Sequence, residues 1–222
     1  MSSKSPVKAL KPSLELEQSI EGPVCGLDEV GRGPLAGPVV AACVYIPEDA
    51  YALPFVPDIR DSKKLSHKKL EELYALITAH FDWAVAERSP QEIDEMNILQ
   101  ASLAAMAQSL EQIDITFAHA LVDGNKLPQM PCPATPIVKG DSKSVSIAAA
   151  SIVAKVTRDR MMRQLHKAHP HYGWNTNVGY PSKAHLEGID AHGITPHHRK
   201  SFAPVRNFIE HGSTRNPLHS AA

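Results

Sequence analysis

Residues 24–30, Val-Cys-Gly-Leu-Asp-Glu-Val, put two adjacent carboxylates inside an otherwise apolar run, and a glycine-rich stretch (Gly31, Arg32, Gly33, Pro34, Gly37) follows at once. Residues 39–46 are again rich in β-branched side chains, so the segment reads as strand, turn, strand. Burying an ionised carboxylate is costly unless something neutralises it. Neighbouring strand residues point to opposite faces, so Asp28 and Glu29 can serve one site only where the strand ends or bulges, which the glycines permit. Taken alone, the pair is equally well explained by a strand end meeting solvent.

Two more acids repeat the arrangement. Asp123 ends the apolar run 118–122 and precedes Gly124; Asp141 follows the short strand 137–138 and Gly140, and opens a long helix. Carboxylates at three strand ends, each beside a glycine, can converge at one edge of a sheet. Such groups repel one another unless cations lie between them, and hard oxygen ligands suit Mg²⁺ or Mn²⁺ rather than Zn²⁺. Carboxylate-held metals serve phosphodiester hydrolysis by activating water and stabilising the leaving oxygen. Asp at a strand-to-turn junction also has purely local uses, so spacing leaves both readings open.

The remaining pattern predicts a mixed α/β chain. Ser66 caps a helix with Leu70, Leu73, Tyr74 and Ile77 at helical spacing, and 81–87 alternates as a strand. Ser89-Pro-Gln-Glu92 is a capping box, and Leu99, Leu103, Met106 and Leu110 form the apolar stripe of the next helix. The longest helix is expected from Ser142 to about His166, and a shorter one over 182–192 stops at Gly193. Residues 1–21 read as a loosely ordered extension, 22–168 as the main domain, 169–211 as a small helical subdomain and 212–222 as a flexible tail.

The 222 residues carry 23 Lys+Arg and 24 Asp+Glu, a formal net charge of −1. That near-balance conceals an asymmetry. Up to Val138 there are 11 basic and 19 acidic residues; beyond it there are 12 and 5, with nine of the twelve histidines. A basic third beside an acidic body suits a protein that grips phosphates on one face and gathers carboxylates on another, although two differently charged solvated faces would look the same. No apolar run is long enough to span a membrane and no secretory leader is visible. Cys25, Cys43 and Cys132 stand far apart without a CxxC, which fits a reducing cytoplasm.

The sequence around the acids is more specific than their spacing. CGLDEVGRGPLAGPVVAACV at 25–44 resembles the signature of type 2 ribonuclease H, the ribonuclease HII family. The resemblance continues through DSKKLS (61–66), MNILQAS (96–102), LVDGN (121–125), KGDSKSVSIAAASIVAKVTRDRMM (139–162) and VGYPSKAHLEGIDAHGITPHHRKSFAPV (178–205), in family order. It implies a ribonuclease H-like mixed β-sheet flanked by helices, with a C-terminal helical subdomain. The family's four metal-binding carboxylates fall on Asp28, Glu29, Asp123 and Asp141, its Gly-Arg-Gly motif on Gly31, Arg32 and Gly33, and its substrate-sensing tyrosine on Tyr180.

The implied reaction is Mg²⁺- or Mn²⁺-dependent hydrolysis of the RNA strand of RNA–DNA hybrids, and nicking of duplex DNA 5′ of an embedded ribonucleotide. The products carry 3′-hydroxyl and 5′-phosphate ends. A ribonucleotide differs by one 2′-hydroxyl, which side-chain-free glycine backbone can approach closely. Ser62, Lys63, Lys64, Ser142 and Lys143 are candidate phosphate contacts, with solvated side chains as the plainer reading. Lys155, Arg158, Arg160 and Arg163 are candidates for tracking the duplex. His166, His169, His171, His197 and His198 read as surface residues or weak phosphate contacts, and for His197-His198-Arg199 the resemblance implies support of the fold or duplex contact. Many relatives carry a basic residue before the Gly-Tyr pair, where Asn177-Val178 stand here. A monomer is expected, with a replication clamp or polymerase as possible partners. Two alternatives remain: a silent hybrid-binding module, and a resolvase- or transposase-like DNA nuclease, against which the Gly-Arg-Gly loop argues.

Overall fold

The structure, a computed structural model, describes residues 11–215. Five strands form one sheet in the order β3-β2-β1-β4-β5: β1 Val24–Val30, β2 Val39–Tyr45, β3 Asp82–Arg88, β4 His119–Asp123 and β5 Ala134–Ile137. β1, β2 and β3 run antiparallel as neighbours, while β4 and β5 are parallel to β1. The alternation of β2 explains the layers. Val40, Ala42 and Val44 pack with α5 (Val145–Ala168) and α2 (His67–His80); Ala41 and Cys43 pack with α4 (Ile98–Glu111) on the other face. Gly26 brings α5 directly onto β1, because a Cβ there would lie 2.3 Å from the Ile147 backbone nitrogen.

The capping box forms as predicted: Ser89 Oγ accepts from Glu92 N, and Glu92 Oε2 accepts from Ser89 N at 2.7 Å. It opens α3 (Pro90–Met96). The α4 stripe is rotated from expectation. Ala101, Ala105, Met106 and Leu110 are buried, whereas Leu99 and Leu103 are only half-buried. The fifth strand precedes its predicted place, and Val138 is exposed.

Two differences concern the ends of elements. The long helix begins at Val145, not at Asp141, which sits one turn earlier in a 3₁₀ turn, Gly140–Ser142. The cap of α5 is Ser144, whose Oγ accepts from Ile147 N. Second, the expected loose extension is ordered where it is described. Residues 15–18 form a helical turn, α1, and Glu17 is buried with Oε1 accepting from Ser146 N at 2.8 Å, Ser144 Oγ and Ser146 Oγ. The carboxylate thus meets the positive end of the longest helix. At the other end, Thr214 is buried and donates to Asp190. Residues 1–10 and 216–222 of the expected extension and tail lie outside the described residues. No helix among the described residues is long and apolar enough to cross a membrane.

The C-terminal helices α6 (Trp174–Asn177), α7 (Lys183–His192) and α8 (Ala203–His211) pack onto Met162 of α5 and Leu35 and Ala36 of the glycine-rich turn. Inside this cluster His198 is buried and pulled down to about 3 by burial and by His185 beside it; burial lowers His185 too. Both rings fold neutral, while in the unfolded chain they protonate near the ordinary histidine value. Acid therefore favours unfolding: the stability these rings confer is complete above about pH 6.5 and is lost as pH falls towards 3. Buried carboxylates with raised pKa titrate in the opposite sense, so the difference between wild type and His198→Asn is the quantity to measure. In urea unfolding between pH 6.5 and 5, wild type is expected to lose about 2 kcal/mol more than the variant; parallel pH dependences would exclude the effect.

Candidate active site

β1 and β4 end side by side. The last paired residues of their parallel ladder are Leu27 and Val122, and the next residue on each strand is Asp28 and Asp123. Chain direction reverses across β1, with β2 antiparallel on one side and β4 parallel on the other, so the crevice lies where open sheets gather their ligands. Asp28 faces α5 and is buried; its Oδ1 accepts from Glu29 N at 2.7 Å. Glu29 turns to the opposite face, towards Leu99 and Leu103 of α4, and pairs with Arg32 at 3.2 Å. Asp123 Oδ1 accepts from Gly140 N at 2.6 Å, tying β4 to the turn that carries Asp141. Lys63 Nζ stands 3.8 Å from Asp141 Oδ2.

The electrostatics are those of crowded acids. Burial, then Glu29 and Asp123, pushes the Asp28 carboxyl well above its ordinary range. Burial raises Glu29, with Asp123 adding and Arg32 opposing. Asp141 is raised by burial, Asp61 and Asp123 against the pull of Lys63. Burial alone would lower the Lys63 ammonium, but Asp141, Asp28, Asp61 and Asp123 outweigh it and hold it above its usual value. Glu29 Oε2 is buried with no hydrogen-bond partner. Arg32, Lys63 and the Gly140 amide hold these carboxylates one by one, and no three His, Cys, Asp or Glu side chains among the described residues are gathered into a ready-made metal cage.

The glycine-rich turn is the second half of the site. Gly31 has φ +93°, and a Cβ there would strike the Arg158 side chain at 2.3 Å. Gly33 is packed against Tyr180, whose Cε1 would stand 3.3 Å from a Cβ at that position. Tyr180 is 44% exposed, so its ring lies at the surface beside the turn instead of filling the core. Arg32 and Gly33 are exposed.

Two buried guanidinium groups fix this turn; Arg199 supports the fold, as the resemblance implies, whereas the role of Arg158 differs from the expected one. Arg158 donates to Pro38 O, Ala36 O and Val178 O at 2.8–3.1 Å, and Arg199 to Gly31 O, Arg32 O and Gly37 O at 2.6–3.0 Å. Neither is exposed, so Arg158 is not a duplex-tracking residue. Burial lowers Arg158 to about 10 and, with Arg158 nearby, Arg199 to about 9; both remain cations at neutral pH. The signal for Arg158 was present: it stands with Ala154 and Met162 at four-residue spacing on the buried face of α5. Arg160 and Arg163 pair with Glu71, and Lys155 with Asp159, so these too have protein partners.

Among the predicted phosphate contacts, Lys63, Lys64 and Lys143 are exposed. Ser142 Oγ donates to Lys139 O. Ser62 departs from expectation: it is buried and shares a 2.8 Å hydrogen bond with Ser151 Oγ beneath Asp28, so it lines the interior of the site and does not face a phosphate. His198 is likewise a core residue. Asn177 takes a structural role in place of the basic residue. Its side-chain amide donates to Tyr172 O and Ser182 Oγ, and its Oδ1 accepts from Gly179 N. Val178 is held in the left-handed region, φ +44°, unusual for a β-branched residue, with Arg158 on its carbonyl.

A mixed sheet in this order, with carboxylates at the carboxyl ends of its central strands, defines a hydrolase of the ribonuclease H class. The fold matches that of ribonuclease H2 from Pyrococcus horikoshii OT3 (TM-score 0.72, 28% identity, 86% of this chain and 98% of that one). It also matches ribonuclease HII of Archaeoglobus fulgidus, solved in complex with PCNA (TM-score 0.65, 28% identity, 81% and 95%). The family model for ribonuclease HII matches residues 25–205, and a ribonuclease HII of Paramagnetospirillum magneticum is 50% identical over 198 residues, 89% of this chain and 98% of its own. The chain belongs to the ribonuclease HII family.

Proposed function

We propose that this ribonuclease is a divalent-metal-dependent endonuclease that hydrolyses the RNA strand of RNA–DNA hybrids and nicks duplex DNA 5′ of an embedded ribonucleotide, leaving 3′-hydroxyl and 5′-phosphate ends. The observation that carries the reading is one continuous stretch of chain. β1 delivers Asp28 and Glu29 beside Asp123, and the turn leaving β1 lays Gly33 against Tyr180. Acids suited to phosphodiester hydrolysis and a surface suited to a sugar are therefore built on the same strand end.

Asp28, Glu29, Asp123 and Asp141 are the proposed ligands of Mg²⁺ or Mn²⁺. The donor set fits a hard cation: oxygen only, anionic, with Glu29 Oε2 buried and unpartnered, and with Asp28, Glu29 and Asp141 all held above their ordinary pKa by burial and by nearby carboxylates, Asp123 in each case. Such a cation, when bound, makes water a better nucleophile and offsets charge on the leaving oxygen. The backbone of Gly31, Arg32 and Gly33 approaches the 2′-hydroxyl, and the exposed Tyr180 ring stacks on the adjoining sugar. Lys63, Lys64, Ser142 and Lys143 contact phosphates. Residues 22–168 form the catalytic domain, and 169–211 the part that carries Tyr180 and buttresses the turn. The enzyme acts as a cytoplasmic monomer on hybrid and ribonucleotide-containing duplexes, and the archaeal relative's complex supports a sliding clamp as a partner.

The test uses a DNA duplex containing one ribonucleotide. A single cut on its 5′ side is expected with Mg²⁺ or Mn²⁺, and none in EDTA. Folded protein that leaves the duplex intact with either cation would overturn the proposal.

A further inference from the structure

We infer that His185 is the positioning residue for Tyr180: its Nδ1 proton anchors the Tyr180 carbonyl, and Trp174 and His198 keep that proton on Nδ1. The inference rests on Tyr180 being the sugar-facing residue proposed above, and it adds three buried side chains that do not line the crevice.

The tautomers follow from which atoms can only donate. An indole nitrogen has no acceptor capacity, and Trp174 Nε1 stands 3.0 Å from His185 Nε2, which must therefore accept. The remaining ring proton of a neutral His185 then sits on Nδ1, 2.9 Å from Tyr180 O. The second ring is fixed from the far side. Thr195 N donates to His198 Nδ1 at 2.9 Å, so His198 carries its proton on Nε2, which faces His185 Nε2 at 3.2 Å. Two donors converge on one nitrogen of His185 and leave it no place for a proton. His185, His198 and Trp174 are each at most 1% exposed, so water does not compete for these bonds.

The consequence reaches the crevice through the main chain. Tyr180 O accepts from both His185 Nδ1 and Ser182 N, and Tyr180 N donates to Asn177 O. One residue earlier, Gly179 O accepts from Leu35 N of the glycine-rich turn at 2.8 Å. With its backbone held on both sides, the Tyr180 ring stays beside Gly33. A His185 ring with its proton on Nε2 would release the carbonyl and let this segment turn.

The experiment compares kcat/KM of the full-length chain on a DNA duplex carrying one ribonucleotide. His185→Ala is expected to lower it about tenfold to a hundredfold. His185→Asn places an amide N–H where Nδ1 stands and is expected to stay within about threefold of wild type; His185→Gln reaches the Nε2 position instead and falls with the alanine variant. In a Tyr180→Ala background, His185→Ala is expected to change kcat/KM by less than about twofold, because two residues acting through one contact do not add. An asparagine variant as impaired as the glutamine variant would overturn the inference, as would an alanine effect undiminished in the Tyr180→Ala background. The asparagine–glutamine comparison stands even if His185→Ala does not fold. Wild-type protein inactive with Mg²⁺ and Mn²⁺ would defeat the proposed function instead. The tautomer is then read from long-range ¹⁵N–¹H spectra, where a His185 protonated on Nε2 would overturn the positioning role.

Discussion

Asp123→Asn is expected to lower turnover at least about a thousandfold while substrate affinity stays within a few fold, because charge stabilisation and metal ligation are lost without loss of shape. The asparagine keeps Oδ1 where Gly140 N donates to it at 2.6 Å, so the tie between β4 and the turn bearing Asp141 survives. Only the charge goes. Asp28, Glu29 and Asp141 are all raised in part by Asp123, so removing it eases their repulsion and leaves the folded protein no less stable. Fewer negative charges beside a polyanion also favour binding. Single-turnover cleavage and fluorescence anisotropy on the same duplex separate the two effects. Full activity in the variant would remove Asp123 from the site.

Arg199→Lys is expected to cost about 3 kcal/mol of stability, a large penalty for a substitution that preserves charge. The guanidinium reaches Gly31 O and Gly37 O through Nη2, Gly37 O again through Nε, and Arg32 O through Nη1, a planar fork that an ammonium cannot reproduce. Lysine at this fully buried position leaves carbonyls of the turn without donors and brings a more strongly hydrated cation into the interior. The urea midpoint should fall with an unchanged slope, the sign of lost native stability and not of altered compactness. Cleavage should weaken at temperatures where the variant remains folded, since the loosened carbonyls belong to Gly31 and Arg32. An unfolding free energy within about 0.5 kcal/mol of wild type would show that the fork is dispensable.

Much of this site is legible in the chain because its parts are local. Asp28 and Glu29 interrupt an apolar strand, and glycines follow immediately; Ser66 and Ser89 each cap the helix their spacing announces. The boundaries that shifted are those settled by distant partners. The start of α5 depends on Ser144 and on Glu17, more than a hundred residues away, so the helix expected to open at Asp141 begins at Val145 instead. Arg158 reads as a duplex-facing charge, and Arg199 and His198 only generally as support for the fold or duplex contacts, because local sequence does not show that the acceptors of the arginines are backbone carbonyls of a turn 120 to 168 residues away, or that His198 meets a second buried histidine. Ser62 was misread for the same reason, its partner Ser151 lying 89 residues on.

Glu17 also sets an order of events at the ribosome. Its Oε1 is hydrogen-bonded by the start of α5, whose cap Ser144 lies 127 residues downstream. At ordinary rates of synthesis roughly 6–25 s separate the emergence of the two. β1 meets β2 early through a short turn, yet its other neighbour, β4, and the helix laid over Gly26 arrive only after more than half of the chain is made. Throughout that interval the central strand has an open edge, the condition under which chains pair with one another instead of with themselves. The acids that make this strand difficult to bury also make its open edge a poor template for a second copy, since Asp28 and Glu29 would repel their counterparts. A strand built for chemistry is in this way protected during its own synthesis.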